Sequence, residues 1–212
     1  FNQQVSIDVP VTEIRTIWLP DSSKVVLNAN ARLSYSKAEW KEHNRSVALA
    51  GMAYFEVRKG SKFTVQTAHG QVAVLGTSFN VKAQRENFIV ECITGRVAVY
   101  GLEEHNSIEL TPGFKTEKDH ESQLLIPSTF DTNSSKEWLI GTFNFKNRSL
   151  DEVWDEFERQ FDIKVDHDYA ESRYYSGTFK KTNMIKALQA ICKPMGLAYK
   201  IDQSNKSITI TK

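Results

Sequence analysis

Five histidines (His43, His69, His105, His120 and His167) are the first residues to test for chemistry. An imidazole can ligate a metal or move a proton near neutral pH. These five are scattered. No His-x-His or His-x-x-x-His spacing occurs, so no single strand or helix presents two of them together, and a metal centre has no support. Asp166-His167-Asp168 is the one cluster that mixes imidazole with carboxylate. It follows a strand end, and a solvated loop accounts for it. Asp155, Glu156 and Glu158 would serve as an acid–base pair only across a cleft at about 5–9 Å. On the polar side of a helix they read as solvated surface. Gly76-Thr77-Ser78-Phe79-Asn80 lacks the Gly-x-Ser-x-Gly elbow of a nucleophile and lies in a strand pattern, where its glycine marks a bulge or a close backbone approach. The flat faces of Trp18, Trp40, Trp138 and Tyr174-Tyr175 suit stacking on sugars, but core packing is the commoner use of aromatics. The chemistry therefore points away from an enzyme: no catalytic residue, metal ligand or cofactor site is expected.

Composition narrows the class further. Lys and Arg number 27 against 26 Asp and Glu, a formal charge of +1, so no basic field recommends nucleic acid or an anionic membrane. The longest apolar runs, such as Phe88-Ile89-Val90, fall far short of the ~20 residues that span a bilayer. The chain opens Phe-Asn-Gln-Gln without Met or a signal-like leader and reads as a processed or truncated piece. Cys92 shares a strand face with Phe88 and Val90, and Cys192 lies on an apolar helical stripe. Both read as small core residues, separated too widely across the chain for a bridge that needs Cα atoms within ~7 Å.

The elements that position these residues change type along the chain. From residue 11 to about 126, short β-rich runs alternate with turn residues. They include 14–19, ending in the turn Pro20-Asp21-Ser22-Ser23, then 25–27, 31–35, and 47–57 broken at Gly51. Further runs are 63–67, 79–83, and 88–93 turning at Thr94-Gly95 into 97–100 as a hairpin. The predicted fold is mainly β followed by α+β. An antiparallel β sandwich or rolled sheet covers 1–130, a polar linker covers 131–136, and a small two-helix α+β domain covers 137–212.

After residue 137 the period shifts from 2 to 3.6. Ser149-Leu150-Asp151-Glu152 is a capping box, followed by Leu150, Val153, Trp154, Phe157 and Phe161 at helical spacing. A second helix carries Ile185, Leu188, Ile191, Cys192 and Met195, with Pro194 disturbing its last turn and Gly196 closing it. Gly141-Thr142-Phe143 precedes the first helix and Gly177-Thr178-Phe179 the second, offset by 36 residues, and a strand follows each helix. This reads as a duplicated βαβ-like unit, closed by the strand 207–211.

Four blocks carry a resemblance. The segments 19–29 (Leu-Pro-Asp-Ser-Ser-Lys-Val-Val-Leu-Asn-Ala), 45–57 (Arg-Ser-Val-Ala-Leu-Ala-Gly-Met-Ala-Tyr-Phe-Glu-Val), 74–81 (Val-Leu-Gly-Thr-Ser-Phe-Asn-Val) and 94–99 (Thr-Gly-Arg-Val-Ala-Val) resemble, in order and spacing, the periplasmic domain of FecR-family anti-sigma regulators. The C-terminal stretch is similar to the secretin/TonB short N-terminal module of Bacteroidetes-type members. Ser22 stands where the family usually has the Gly of a Pro-Asp-Gly turn, and Met52 replaces the Glu of Gly-Glu-Ala. The cytoplasmic sigma-binding segment and the transmembrane helix that such regulators carry upstream do not occur in this chain. The resemblance implies a periplasmic, signal-receiving region, tethered in the full protein to the inner membrane. It would relay the state of an outer-membrane TonB-dependent transducer, through the transducer's periplasmic signalling domain, to an extracytoplasmic-function sigma factor. The sigma factor would be touched only by the missing segment, and neither nucleic acid nor membrane by this one. A bacterial source makes the sequons at Asn44, Asn133, Asn147 and Asn205 idle. A secreted carbohydrate-binding module is the alternative, with a hydrolase behind it.

Recognition by backbone pairing needs an open sheet edge. The last strand offers one, with Ile208 and Ile210 inward and Ser207, Thr209 and Thr211 outward; pairing on both sides is the competing arrangement. If recognition lies elsewhere, the acidic face of the first helix around Asp155 and Glu158 is expected to carry it.

Overall fold

The computed structural model describes residues 4–40, 44–102, 106–118, 125–169 and 172–212. His43, His105 and His120 lie outside the described residues. The chain divides into two compact units, residues 1–10 with 14–135, and 11–13 with 136–212.

The first unit is built from β1 (Gln4–Asp8), β2 (Arg15–Trp18), β3 (Lys24–Leu27), β4 (Arg32–Ser36), β5 (Arg45–Glu56), β6 (Phe63–Thr67), β7 (Gly70–Val74), β8 (Ser78–Gln84), β9 (Asn87–Cys92), β10 (Val97–Tyr100), β11 (Ser107–Leu110), β12 (Phe114–Lys118) and β13 (Leu125–Thr129). Twelve-residue β5 organises them. Its N-terminal half pairs with β4 and β6, and its C-terminal half with β3 and β8, so one strand serves two sheets. The change of partners centres on Gly51, held at φ +109, where an added Cβ would stand 2.8 Å from the Ala31 Cα. Only glycine tolerates both the dihedral and the approach. The first sheet continues through β7, β10 and β11, with β1 outside β4. The second continues through β9, β12 and β13, with β2 outside β3. Residues at alternate positions fill the space between: Leu27, Leu33, Phe55, Phe63, Phe79 and Phe88 are fully buried, and the Phe55 and Phe79 rings stack at 5.0 Å.

Two expectations are corrected here. The ladder is not wholly antiparallel, because β5 and β6 run parallel. The turn at Thr94-Gly95 does not close a hairpin: β9 pairs with β8 and β12, whereas β10 pairs with β7 and β11. The backbone N–H groups of Ile93 and Thr94 both donate to the Ser78 carbonyl, at 2.9 and 3.0 Å, which ties the corner to β8 and sends the chain into the other sheet. A short turn flanked by apolar runs looks the same in sequence whether it folds back or crosses over.

Residues 131–136 are ordered by local hydrogen bonds. Asp131 Oδ1 accepts from Asn133 N (3.0 Å), and the Asp131 carbonyl accepts from Ser134 Oγ (3.0 Å). A 3-10 turn then spans Ser134–Ile140 with Trp138 buried.

The second unit runs β14 (Thr142–Ser149), α1 (Leu150–Phe161), β15 (Lys164–His167), β16 (Tyr174–Lys180), α2 (Met184–Met195), β17 (Ala198–Asp202) and β18 (Ser207–Thr211). β14 pairs with β16 in a two-stranded sheet, and a three-stranded sheet has the order β15-β18-β17. Each helix is therefore flanked by strands of two different sheets. Phe143 lies opposite Phe179 across the β14–β16 ladder, their rings 5.2 Å apart, and Phe145 and Phe157 join them.

Helix α1 starts where the Ser149 hydroxyl accepts from Glu152 N (3.3 Å), and buries Leu150, Val153, Trp154 and Phe157. Helix α2 starts at Asn183, whose Oδ1 accepts from Lys186 N (2.9 Å), and ends at Gly196 at φ +62. Its buried face is Ala187, Leu188, Ile191 and Cys192; Ile185, expected on that stripe, is 41% exposed. Pro194 has no N–H to give the Ala190 carbonyl, and the Tyr175 hydroxyl supplies that bond at 3.1 Å.

Candidate partner-binding surfaces

The predicted edge strand is not an edge. β18 has β15 on one side, parallel, and β17 on the other, antiparallel. Its backbone groups are therefore committed, and pairing with a partner strand along Ser207–Thr211 is ruled out by register rather than by composition. The side-chain directions are as expected: Ile208 and Ile210 are fully buried, and Thr209 is exposed on the outward side.

The acidic side of α1 is less solvated than its composition suggests. Glu156 is buried, accepting from Arg159 NH2 and Gln160 Nε2 at 2.8 Å each. Glu158 Oε1 accepts from the Val165 backbone N at 2.8 Å while Oε2 lies 3.5 Å from Lys164 Nζ. Since Lys164 N donates to the Lys206 carbonyl toward β18, the next N–H along β15 points to the open side, and Glu158 takes it. That carboxylate blocks an edge, one of the devices by which sheets avoid unwanted pairing. Asp155 is half-buried and engaged.

The remaining candidates also have structural occupations. His167 Nε2 lies 3.2 Å from Asp151 Oδ1, its ring stacks on Tyr169 at 4.1 Å, and the Tyr169 hydroxyl accepts from Trp154 Nε1 at 2.8 Å. Gly76 is a close approach, as expected: a Cβ there would meet the Lys59 Cα at 2.7 Å. Trp138 and Tyr175 are buried and Trp40 packs edge-on to Tyr35 and Phe63, which leaves Trp18 in the first unit and Tyr174 in the second as the exposed members of that set. Cys92 and Cys192 are free and buried, one in each unit, and burial pushes each thiol up to about 11. Among the described residues no three His, Cys, Asp or Glu gather as a metal site, and no helix is long and apolar enough to cross a membrane.

Sequence reasoning missed a groove of about 320 Å³ between β16 and α2. Its floor is Phe179, Ala187 and Ala190, and Thr178, Lys180 and Lys186 rim it. The available signal was the small residues at 187 and 190 on a helix otherwise lined by Leu and Ile, but a small residue in a helix ordinarily means close packing.

The fold defines a β-rich α+β protein of two units. Two sequence profiles match it: "FecR protein" over residues 6–98 and "FecR, C-terminal" over 142–210. Two crystal structures of candidate anti-sigma factors from Parabacteroides distasonis ATCC 8503 are similar throughout. One superposes with a TM-score of 0.90 at 27% identity, covering 99% of each chain; the other with 0.89 at 28% identity, covering 98% of this chain and 99% of its own. A search of the curated proteins finds no match. The chain belongs to the FecR family of anti-sigma regulators, a regulatory rather than a catalytic class.

Proposed function

We propose that this region is the periplasmic, signal-receiving part of an inner-membrane anti-sigma regulator. It takes the state of an outer-membrane TonB-dependent transducer from that protein's signalling domain and relays it to an extracytoplasmic-function sigma factor. The observation that carries this reading is the pairing of the two family matches on one chain, with the C-terminal match coinciding with a separate α+β unit. We read residues 1–130 and 137–212 as its two domains, joined by 131–136, and the two strand–helix–strand stretches of the second as a duplicated unit. Its outward-facing side chains, Ser207, Thr209 and Thr211 among them, stay available for side-chain contacts, with Asp155 and Glu158 at the margin. The test is calorimetric titration of the whole chain with the isolated signalling domain of the transducer encoded beside it, paired with a sigma-dependent reporter in cells deleted for 136–212. Saturable binding together with a reporter that no longer responds to the transducer's ligand is the expected result. A reporter that responds normally without residues 136–212 overturns the proposal.

A further inference from the structure

Strand β16 is paired on one side only, by β14. Its register shows which backbone groups face the open side. Lys181 N donates to the Gly141 carbonyl at 2.9 Å, and Phe143 lies opposite Phe179, so the odd-numbered positions 179 and 181 turn their N–H and C=O groups toward β14. Thr178 and Lys180, one step out of phase, turn theirs away from it. No hydrogen bond to the backbone N–H of either is found among the described residues. These same two residues line the groove that runs between β16 and α2.

The groove thus combines an unpaired strand edge, a shallow apolar floor of Phe179, Ala187 and Ala190, and a basic rim. Lys180 and Lys186 are both exposed, and the first turn of twelve-residue α2, capped by Asn183, adds its partial positive charge. An extended segment laid along β16 would gain main-chain hydrogen bonds from Thr178 and Lys180 and seat alternate side chains against the small residues of α2. The charge of the rim selects carboxylates. Two other edges of this unit lack this combination: β14 is broken by a bulge between Phe145 and Arg148, and β15 is blocked by Glu158.

We infer that the β16–α2 groove is where the partner docks, by adding an extended acidic segment of the transducer's signalling domain as a third strand beside β16. The inference rests on the relay reading above. Its test uses the whole chain, the purified signalling domain, and the variant Lys180→Glu/Lys186→Glu, with Lys180→Gln/Lys186→Gln as a second variant should charge reversal disturb folding. Binding is expected to weaken about ten-fold on charge reversal, with a shallower salt dependence than the wild type. Amide exchange in the complex is expected to slow at Thr178 and Lys180, whose N–H groups face the groove. Full-affinity binding by the charge-reversed chain, with exchange at Thr178 and Lys180 unchanged, overturns the groove and leaves the relay reading intact. Absence of binding by the wild-type chain overturns the relay reading, and with it the occupant assigned here.

Discussion

Ser22 and Asp21 show how neighbouring residues in one turn have opposite consequences. Ser22 sits at φ +64, its N–H donating to the Leu19 carbonyl at 2.9 Å, in a conformation that costs a non-glycine residue about 1 kcal/mol. The resemblance noted in the sequence placed glycine here, and the dihedral gives the reason. Ser22→Gly is therefore expected to stabilise the first unit by about 1 kcal/mol, seen as a raised urea midpoint at constant slope. Asp21 is different. Its Oδ1 accepts from Ser23 N, and its Oδ2 accepts from Ser23 Oγ and from Arg45 NH1, both at 2.8 Å. Arg45 is only 6% exposed and also donates to the carbonyls of Arg58 and Ser61. Asp21→Ala leaves a buried guanidinium without its counter-charge, so the same urea titration should show a loss of about 3–5 kcal/mol. A loss below 1 kcal/mol would mean that the backbone carbonyls alone satisfy Arg45.

At the scale of elements, the sequence marks helices more faithfully than sheet partners. Helix α1 follows its capping box because Ser149 and the apolar stripe are local facts, readable within one turn. The position of β18 depends on which strand follows α1 in space, and residues forty positions away decide that. The two Gly-Thr-Phe copies illustrate the limit. Gly141 is needed for a φ of +78, whereas Gly177 has no such dihedral and makes room for Tyr175, whose hydroxyl would lie 2.2 Å from an added Cβ. One three-residue pattern thus serves two purposes. Tyr175 is placed this way to reach the Ala190 carbonyl that Pro194 leaves without a donor. Tyr175→Phe is expected to cost about 0.5–1.5 kcal/mol, the net worth of a hydrogen bond to a part-buried carbonyl. In a Pro194→Ala background the helix supplies its own N–H, and the same substitution should cost markedly less. A double-mutant cycle by urea denaturation measures the difference. Equal costs in both backgrounds would show that the hydroxyl's contribution does not depend on the donor that Pro194 lacks.

At the scale of the whole molecule, composition marks a polar stretch at 131–136 but not its physical character. Polar, turn-prone residues at 131–136 look like a free spacer, since nothing in Asp-Thr-Asn-Ser-Ser-Lys announces a tertiary partner. That partner comes from β8: Asn80, buried on the outer side of its strand, donates through Nδ2 to the Ser135 carbonyl at 2.9 Å and to Glu91 Oε2 at 3.0 Å. One amide side chain therefore fastens the far end of the connection to the sheet that the chain has just left. A protease must bind some residues of extended chain, so cutting here requires the connection to open first, and its rate follows the population of the opened form when reclosing is fast. Asn80→Ala removes the fastening. With about 0.5–1.5 kcal/mol as the net worth of such a hydrogen bond, the opened population should rise about two- to thirteen-fold. Limited proteolysis of native protein with a protease of broad specificity should accordingly cut between residues 131 and 136 faster in the variant by that factor. Cleavage within the second unit, which Asn80 does not touch, serves as the internal reference. Equal rates at 131–136 in wild type and variant would show that the local bonds of Asp131, to Asn133 and Ser134, hold the connection closed without help from β8.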